Sequence, residues 1–250
     1  MSQRPHGRKQ DELRPLSFKR RYTRQAPGSV LVRSGRTTVL CTCCIEEAVP
    51  PFLVGKGQGW LSAEYGMLPG STSSRKPRDK GGKVDGRSVE IQRLIGRSLR
   101  AVVDLGKLGE RTLWLDCDVL EADGGTRTAS ITGGFVALAC ALWKLKTQGI
   151  LTTPVLREPV AAVSAGRVNG ELFLDLCYKE DSRAEVDLNL VATKSGNVIE
   201  VQGTAEDAPV PRKDFDKLVD LSLEGVARLC ALQDRALTGA GVALSELVAG

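Results

Sequence analysis

The sequence predicts an α/β (α+β) fold over residues 1–250. It reads as a single domain whose mixed β-sheet is built from β-hairpins, with helices packed against it, in two similar β-then-α halves. Three observations carry the expectation. The chain has 250 residues, 42% hydrophobic and 26% charged, enough for one large core or two small ones and ordinary for a globular enzyme. Short apolar runs joined by glycine-containing turns open each half. A long segment with helical apolar spacing closes each half.

Taken in order, residues 1–14 are basic, polar and broken by proline and glycine, and read as a flexible leader. "SVLVRS" (29–34) and "TTVLCTCCIEE" (37–47) flank Gly35-Arg36 as a hairpin. "PPFLVGKGQGWLSAEYGMLPGS" mixes glycine and proline with short apolar pieces; it reads as strand and irregular structure ending in a basic loop, 70–86. The segment 87–105 is a helix, with Ile91, Leu94, Ile95, Leu99, Val102 and Val103 on one side and Glu90, Arg93, Arg97 and Arg100 on the other. "RTLWLDCDVL" alternates as a strand with one buried face.

A second helix is expected from near Ala129 to Lys146, then a proline-punctuated link, 151–159. The second half restarts with a hairpin across Asn169-Gly170, a strong turn signal, and another across Ser195-Gly196. The closing helix turns Phe215, Leu218, Val219, Val226, Leu229 and Cys230 inward. Residues 238–250 read as a frayed, flexible tail.

Composition narrows the function classes. No apolar run reaches the roughly 18 residues of a membrane span, so no membrane partner is expected. The amino terminus has no apolar stretch of the secretory kind, and the reading is cytoplasmic. Seven cysteines lie in apolar runs, and "CTCC" (41–44) has no second ligand cluster, which makes them small buried hydrophobes rather than zinc ligands. The only histidine is His6, in the leader, so Ser-His-Asp, Cys-His and His-metal chemistries lack material. Acid–base work falls to carboxylates, lysine or tyrosine.

The formal charge of +5 is uneven. Residues 1–24 hold eight Lys/Arg against Asp11 and Glu12, and residues 75–87 hold six against Asp79 and Asp85. Such clusters suit a polyanion bound through its phosphates, or form a solvated face.

Two segments offer chemistry. In "EADGGTRTASITGG", a strand ends, two glycines let the chain turn, and a helix begins with free N–H groups facing the turn. That junction suits an anion, and Arg127 adds a planar fork matched to phosphate oxygens. Thr126 and Thr128 either contribute hydroxyls or cap the helix; a plain N-cap with a surface arginine is the local alternative. In "YKEDSRAEVDLNL", Asp181 leads a turn and Asp187 sits on the polar face of the next strand, beside Asn189. They share a side if the strand reaches back that far, and such a pair either binds a divalent cation or acts as acid and base. A solvated strand face is the alternative.

These stretches, with "GQGWLSAEYGMLPGST", "GRSVEIQRLIGRSLRAVVDL", "VAAVSAGRVNGE" and "VIEVQGTAE", make nearly the whole chain resemble the ribonuclease PH family. The resemblance implies a phosphate-dependent 3′-to-5′ exoribonuclease that trims transfer RNA precursors, a nucleotidyltransferase that uses inorganic phosphate and releases nucleoside 5′-diphosphates. It implies phosphate-binding positions at Arg87, Gly125, Thr126 and Arg127, and an acidic pair at Asp181 and Asp187 that serves catalysis and a divalent cation, Mg. It implies RNA contacts from basic residues, with Arg75, Lys76, Arg78, Arg93 and Arg97 as candidates, and a homohexamer built as a trimer of dimers. Gly70 departs from the family pattern, in which an arginine commonly stands in the RNA-facing loop. A catalytically silent RNA-binding ring subunit and a metal-dependent hydrolytic exoribonuclease are the competing readings.

Overall fold

The computed structural model describes residues 4–78, 85–206 and 208–249, and the lysines at 80 and 83 of the basic stretch lie outside them. The α/β class and the two β-then-α halves are as the sequence predicts, and the strands divide between two sheets. The first contains β1 (Leu16–Arg20), β2 (Gly28–Ser34), β3 (Thr37–Glu46), β4 (Trp60–Met67) and β5 (Thr112–Glu121), in the order β1-β2-β3-β5-β4. Only β4 and β5 run parallel; the other neighbours are antiparallel. The second contains β6 (Val160–Val168), β7 (Glu171–Leu174), β8 (Val186–Thr193) and β9 (Val198–Ala205), in the order β7-β6-β8-β9 and antiparallel throughout.

Five α-helices complete the fold among the described residues: α1 (Gly86–Arg100), α2 (Leu105–Leu108), α3 (Thr126–Thr147), α4 (Tyr178–Asp181) and α5 (Arg212–Thr238). Helix α1 lays Ile91, Leu94, Ile95 and Leu99 into the core as its periodicity requires. It stops short of residue 105 because Val103 pairs with Leu156 and Asp104 accepts from Lys107 N to start α2. Helix α3 lacks a polar face because it has protein on both sides. It packs on β2 and β3 of one sheet and on β6 of the other. At Gly133 a side chain has no room: a Cβ there would lie 2.6 Å from Val32 Cγ1. By length and composition α3 is apolar enough to cross a membrane, yet its surface is consumed in the core.

The leader and tail correct the sequence reading. Arg4, Arg8 and Arg14 are buried, paired with Glu180 and Asp175. Residues 16–20 then form the edge strand β1. At the other end Val242, Leu244 and Leu247 are buried, and Leu156 exchanges backbone hydrogen bonds with Leu247 (2.8 Å) and Ala249 (2.8 Å). A basic segment reads as solvated until its carboxylate partners, 161 to 176 positions away, are folded onto it. All seven cysteines are free thiols; five are buried, and Cys44 and Cys140 are half-buried. Burial pushes Cys140 up to about 11 and Cys230 up to about 12, so both stay protonated and inert.

Candidate active site

The glycine loop is the centre of the site. Strand β5 ends at Glu121, and Gly124 and Gly125 then take φ of +76° and +64°, a conformation that L side chains rarely adopt. Gly124 lies flat on another backbone: a Cβ there would be 2.7 Å from Leu176 O and 2.8 Å from Tyr178 N. Helix α3 begins at Thr126, three residues before the sequence reading. No side chain caps its first turn among the described residues. Thr128 Oγ1 donates to Gly125 O (2.9 Å), and Thr126 Oγ1 bonds the Tyr65 hydroxyl (2.9 Å). Neither threonine therefore acts as an N-cap, and the first-turn N–H groups remain free for an anion.

Arg127 projects from that first turn. Its Nη1 donates to Gln202 Oε1 (2.6 Å) and to Glu90 Oε1 (3.3 Å), with only 16% of the side chain exposed. Arg87, in the first turn of α1, is exposed, and its backbone N–H is capped by Asp85 (3.4 Å). The positive charges of Arg87 and Arg127 both act on Tyr65 and on Asp181.

The two aspartates meet by a route the sequence did not show. Strand β8 begins at Val186, and Asp181 instead ends the one-turn helix α4. The turn between them closes with Ala184 N donating to Asp181 O (3.1 Å) and Glu185 N to Arg167 O (2.8 Å). Burial raises the Asp181 carboxyl, opposed by the charges of Arg87, Arg127 and Arg14. Burial, then the charge of Asp181, pushes Asp187 up to about 6; Arg127 and the Asn189 amide oppose that rise. Asn189 Nδ2 lies 3.2 and 3.4 Å from the two Asp187 oxygens.

This pair fits a divalent cation of the kind that keeps several waters and takes one or two carboxylates. Among the described residues there is no cluster of three or more His, Cys, Asp or Glu side chains, so the protein offers no full cage.

The basic candidates are less uniform. The segment after β4 starts beside the glycine loop, with Ala122 N donating to Ser71 O (2.8 Å). Beyond it Arg75 and Arg78 are exposed and Lys76 half-buried. Arg93 is exposed on α1, whereas Arg97 is engaged by Glu200 at 2.7 and 3.2 Å. Sequence reasoning missed Tyr65, Gln202 and Arg14. For Gln202 a partial signal existed: Glu200 and Gln202 alternate onto one face of β9, but nothing local names Arg127 as their neighbour.

A helix start and two arginines whose charges reach a pair of interacting carboxylates, all on an α/β frame, suit a phosphorylated substrate. Family models place the chain more closely. The model of the 3′ exoribonuclease family, domain 1, matches residues 12–143, and that of domain 2 matches residues 158–225. Ribonuclease PH of Crocosphaera subtropica is 55% identical over 238 residues, covering 95% of this chain and 99% of that protein. Ribonuclease PH of a Synechococcus species is also 55% identical over 238 residues, covering 94% and 97%. The chain belongs to the 3′ exoribonuclease family.

Solved structures share the fold. Rice Rrp46 superposes with a TM-score of 0.74 at 19% identity, covering 92% of this chain and 98% of the other. A chain of the Archaeoglobus fulgidus exosome, solved with RNA bound to the active site, gives 0.75 at 23% identity, covering 91% of each chain.

Proposed function

We propose that this chain trims RNA from the 3′ end by phosphorolysis. Orthophosphate attacks the last phosphodiester, a P–O bond to phosphate forms, the bond to the 3′-oxygen breaks, and a nucleoside 5′-diphosphate leaves. The reverse reaction adds nucleotides. What supports this reading is that Arg87 and Arg127 both act on Asp181, that Arg127 also acts on Asp187, and that Arg127 springs from the uncapped start of α3.

Phosphorolysis joins an anionic nucleophile to an anionic diester. Two guanidinium groups and a helix start offset that repulsion and hold the reactants in line. Arg127 is already oriented by Gln202 and Glu90, so little freedom is lost when phosphate arrives. The departing 3′-oxygen takes a proton, and Asp187, poised at about 6, is matched to that exchange. Asp181 shapes the charge around it. A cation bound by the two carboxylates would supply electrostatic stabilisation of the phosphoryl oxygens.

The resemblance supports a finer reading: transfer RNA precursors as substrates, Mg as the cation, a homohexamer built as a trimer of dimers, and a cytoplasmic location. The exposed Arg75, Arg78 and Arg93 suit contact with the RNA backbone, which the aromatic share of 4% also favours over base stacking.

The test is product analysis on an RNA with a 3′ extension, with and without orthophosphate. Nucleoside diphosphates released only with phosphate are expected, and Arg127→Ala lowers that release by at least ~100-fold. Monophosphates would establish hydrolysis instead, and no product at all would establish a silent RNA-binding subunit.

A further inference from the structure

We propose that Arg14 is a positioning residue for phosphorolysis. It ties the glycine loop to the turn that carries Asp181, and so sets the spacing between the phosphate site and the carboxylate site. The proposal rests on the functional reading above.

The loop at 123–125 and the turn at 175–181 come from different halves of the chain and touch backbone to backbone. Tyr178 N donates to Asp123 Oδ1 (3.3 Å), and Gly124 leaves no room for a Cβ against Leu176–Tyr178. One guanidinium bridges both segments. Arg14 Nη1 donates to Asp123 O (2.7 Å) and Gly124 O (3.4 Å), while Nε and Nη2 donate to Asp175 Oδ1 (3.1 and 2.6 Å). The Arg14 backbone N–H donates to Asp175 Oδ2 at 2.7 Å. Both side chains are almost wholly buried, at 4% and 7% exposure.

Asp175 itself has φ of +54°, in the left-handed region that an L residue enters only when its surroundings hold it there. Three donors from Arg14 and the bond from Asp175 N to Ser164 O (2.6 Å) supply that hold. Arg4 and Arg8 brace the next step. Both pair with Glu180, at 2.7 and 2.9 Å, and Glu180 immediately precedes Asp181. The charge of Arg14 is also felt at Asp181. A buried ion pair adds little net stability over an apolar pair of equal size, so the value of this one lies in the geometry it holds.

Relative misplacement of two intact sites has a distinct kinetic signature: kcat falls while each ligand alone binds as before. Arg14→Lys keeps the charge but cannot span both segments with a planar fork. Wild type and R14K are compared in four measurements: thermal unfolding, orthophosphate binding by calorimetry, RNA binding without phosphate, and kcat per folded protein. A kcat lowered by about tenfold or more, with both binding constants within about threefold of wild type, is the expected result.

A lowered melting temperature with wild-type kcat would reduce Arg14 to a fold support and overturn the proposal. Loss of phosphate affinity by the same factor as kcat would also overturn it, because Arg14 would then act on phosphate itself. Should R14K fail to fold, Asp175→Asn, which keeps an acceptor for Arg14, takes the same four measurements, and the same outcomes support or overturn the proposal. Failure of both to fold counts against a positioning role. Wild-type release of nucleoside diphosphates is scored in the same assay. Its absence sinks the functional reading, whereas its presence beside an unaffected R14K sinks only this inference.

Discussion

Asp187→Asn separates what the site costs the fold from what it gives the reaction. The Asp187 carboxyl is displaced from 3.8 to about 6, by burial first and by the neighbouring Asp181 charge second. The sign follows from the direction. A folded-state value above the unfolded one means stability is fully present below about pH 4 and is lost as pH rises through about 6. At 1.36 kcal/mol per pH unit the ionised group costs the native state about 3 kcal/mol, which solvent at the partly open site trims to about 2 kcal/mol. Asparagine removes the charge and keeps an oxygen for the Asn189 amide.

At pH 8 in chelator the variant is therefore expected to melt about 4 to 8 °C above wild type, while at pH 4 the two coincide. The same variant loses at least ~100-fold in kcat because the proton exchange is gone. Magnesium ions should raise the wild-type melting temperature and narrow the gap, since a bound cation stabilises the ionised pair. Thermal unfolding across pH, with and without magnesium, reads all of this. A variant that melts at or below wild type at pH 8, or a gain that persists unchanged to pH 4, would refute the reasoning.

Two further outcomes concern glycines. Gly124→Ala places a Cβ within 2.7 Å of Leu176 O at a φ of +76°, so it should cost at least ~2 kcal/mol and lower trimming by more than tenfold. Unchanged melting would mean that the loop does not rest on the Asp181 turn. Gly70→Arg meets nothing within 4 Å and needs no unusual backbone, so the fold should tolerate it. RNA affinity is expected to rise about threefold to tenfold at moderate salt, with the salt dependence steeper by about one charge and kcat unchanged. Filter binding across a salt series checks this, and an unaltered slope would remove the basic loop from the RNA path.

Much of the fold was legible because its signals are local. The β2–β3 hairpin, the apolar face of α1 and the alternation of β5 each need only their own residues to be recognised. The start of α3 was placed late because Thr126 and Arg127 carry no apolar signal; their helical state follows from the turn at Gly124-Gly125. Strand β1 was missed for a related reason: Leu16–Arg20 is a half-exposed edge strand with two cations, and its pairing with β2 decides its state. Asp181 was read at the head of a turn, sharing a side with Asp187 if the strand reached back that far; β8 begins only at Val186, and nothing nearby announces the one-turn helix α4.

By itself, then, the sequence determined which chemistries had material: a single histidine, His6, a glycine-arginine junction suited to phosphate, and a carboxylate pair. Those follow from residue types and short spacings. Only the tertiary structure decided which charges meet. Arg14 reaches Asp175 across 161 positions, and Arg127 reaches Gln202 across 75. Coulomb and hydrogen-bond partners are chosen by distance in space, which no local pattern encodes, and burial then sets how strongly each partner is felt.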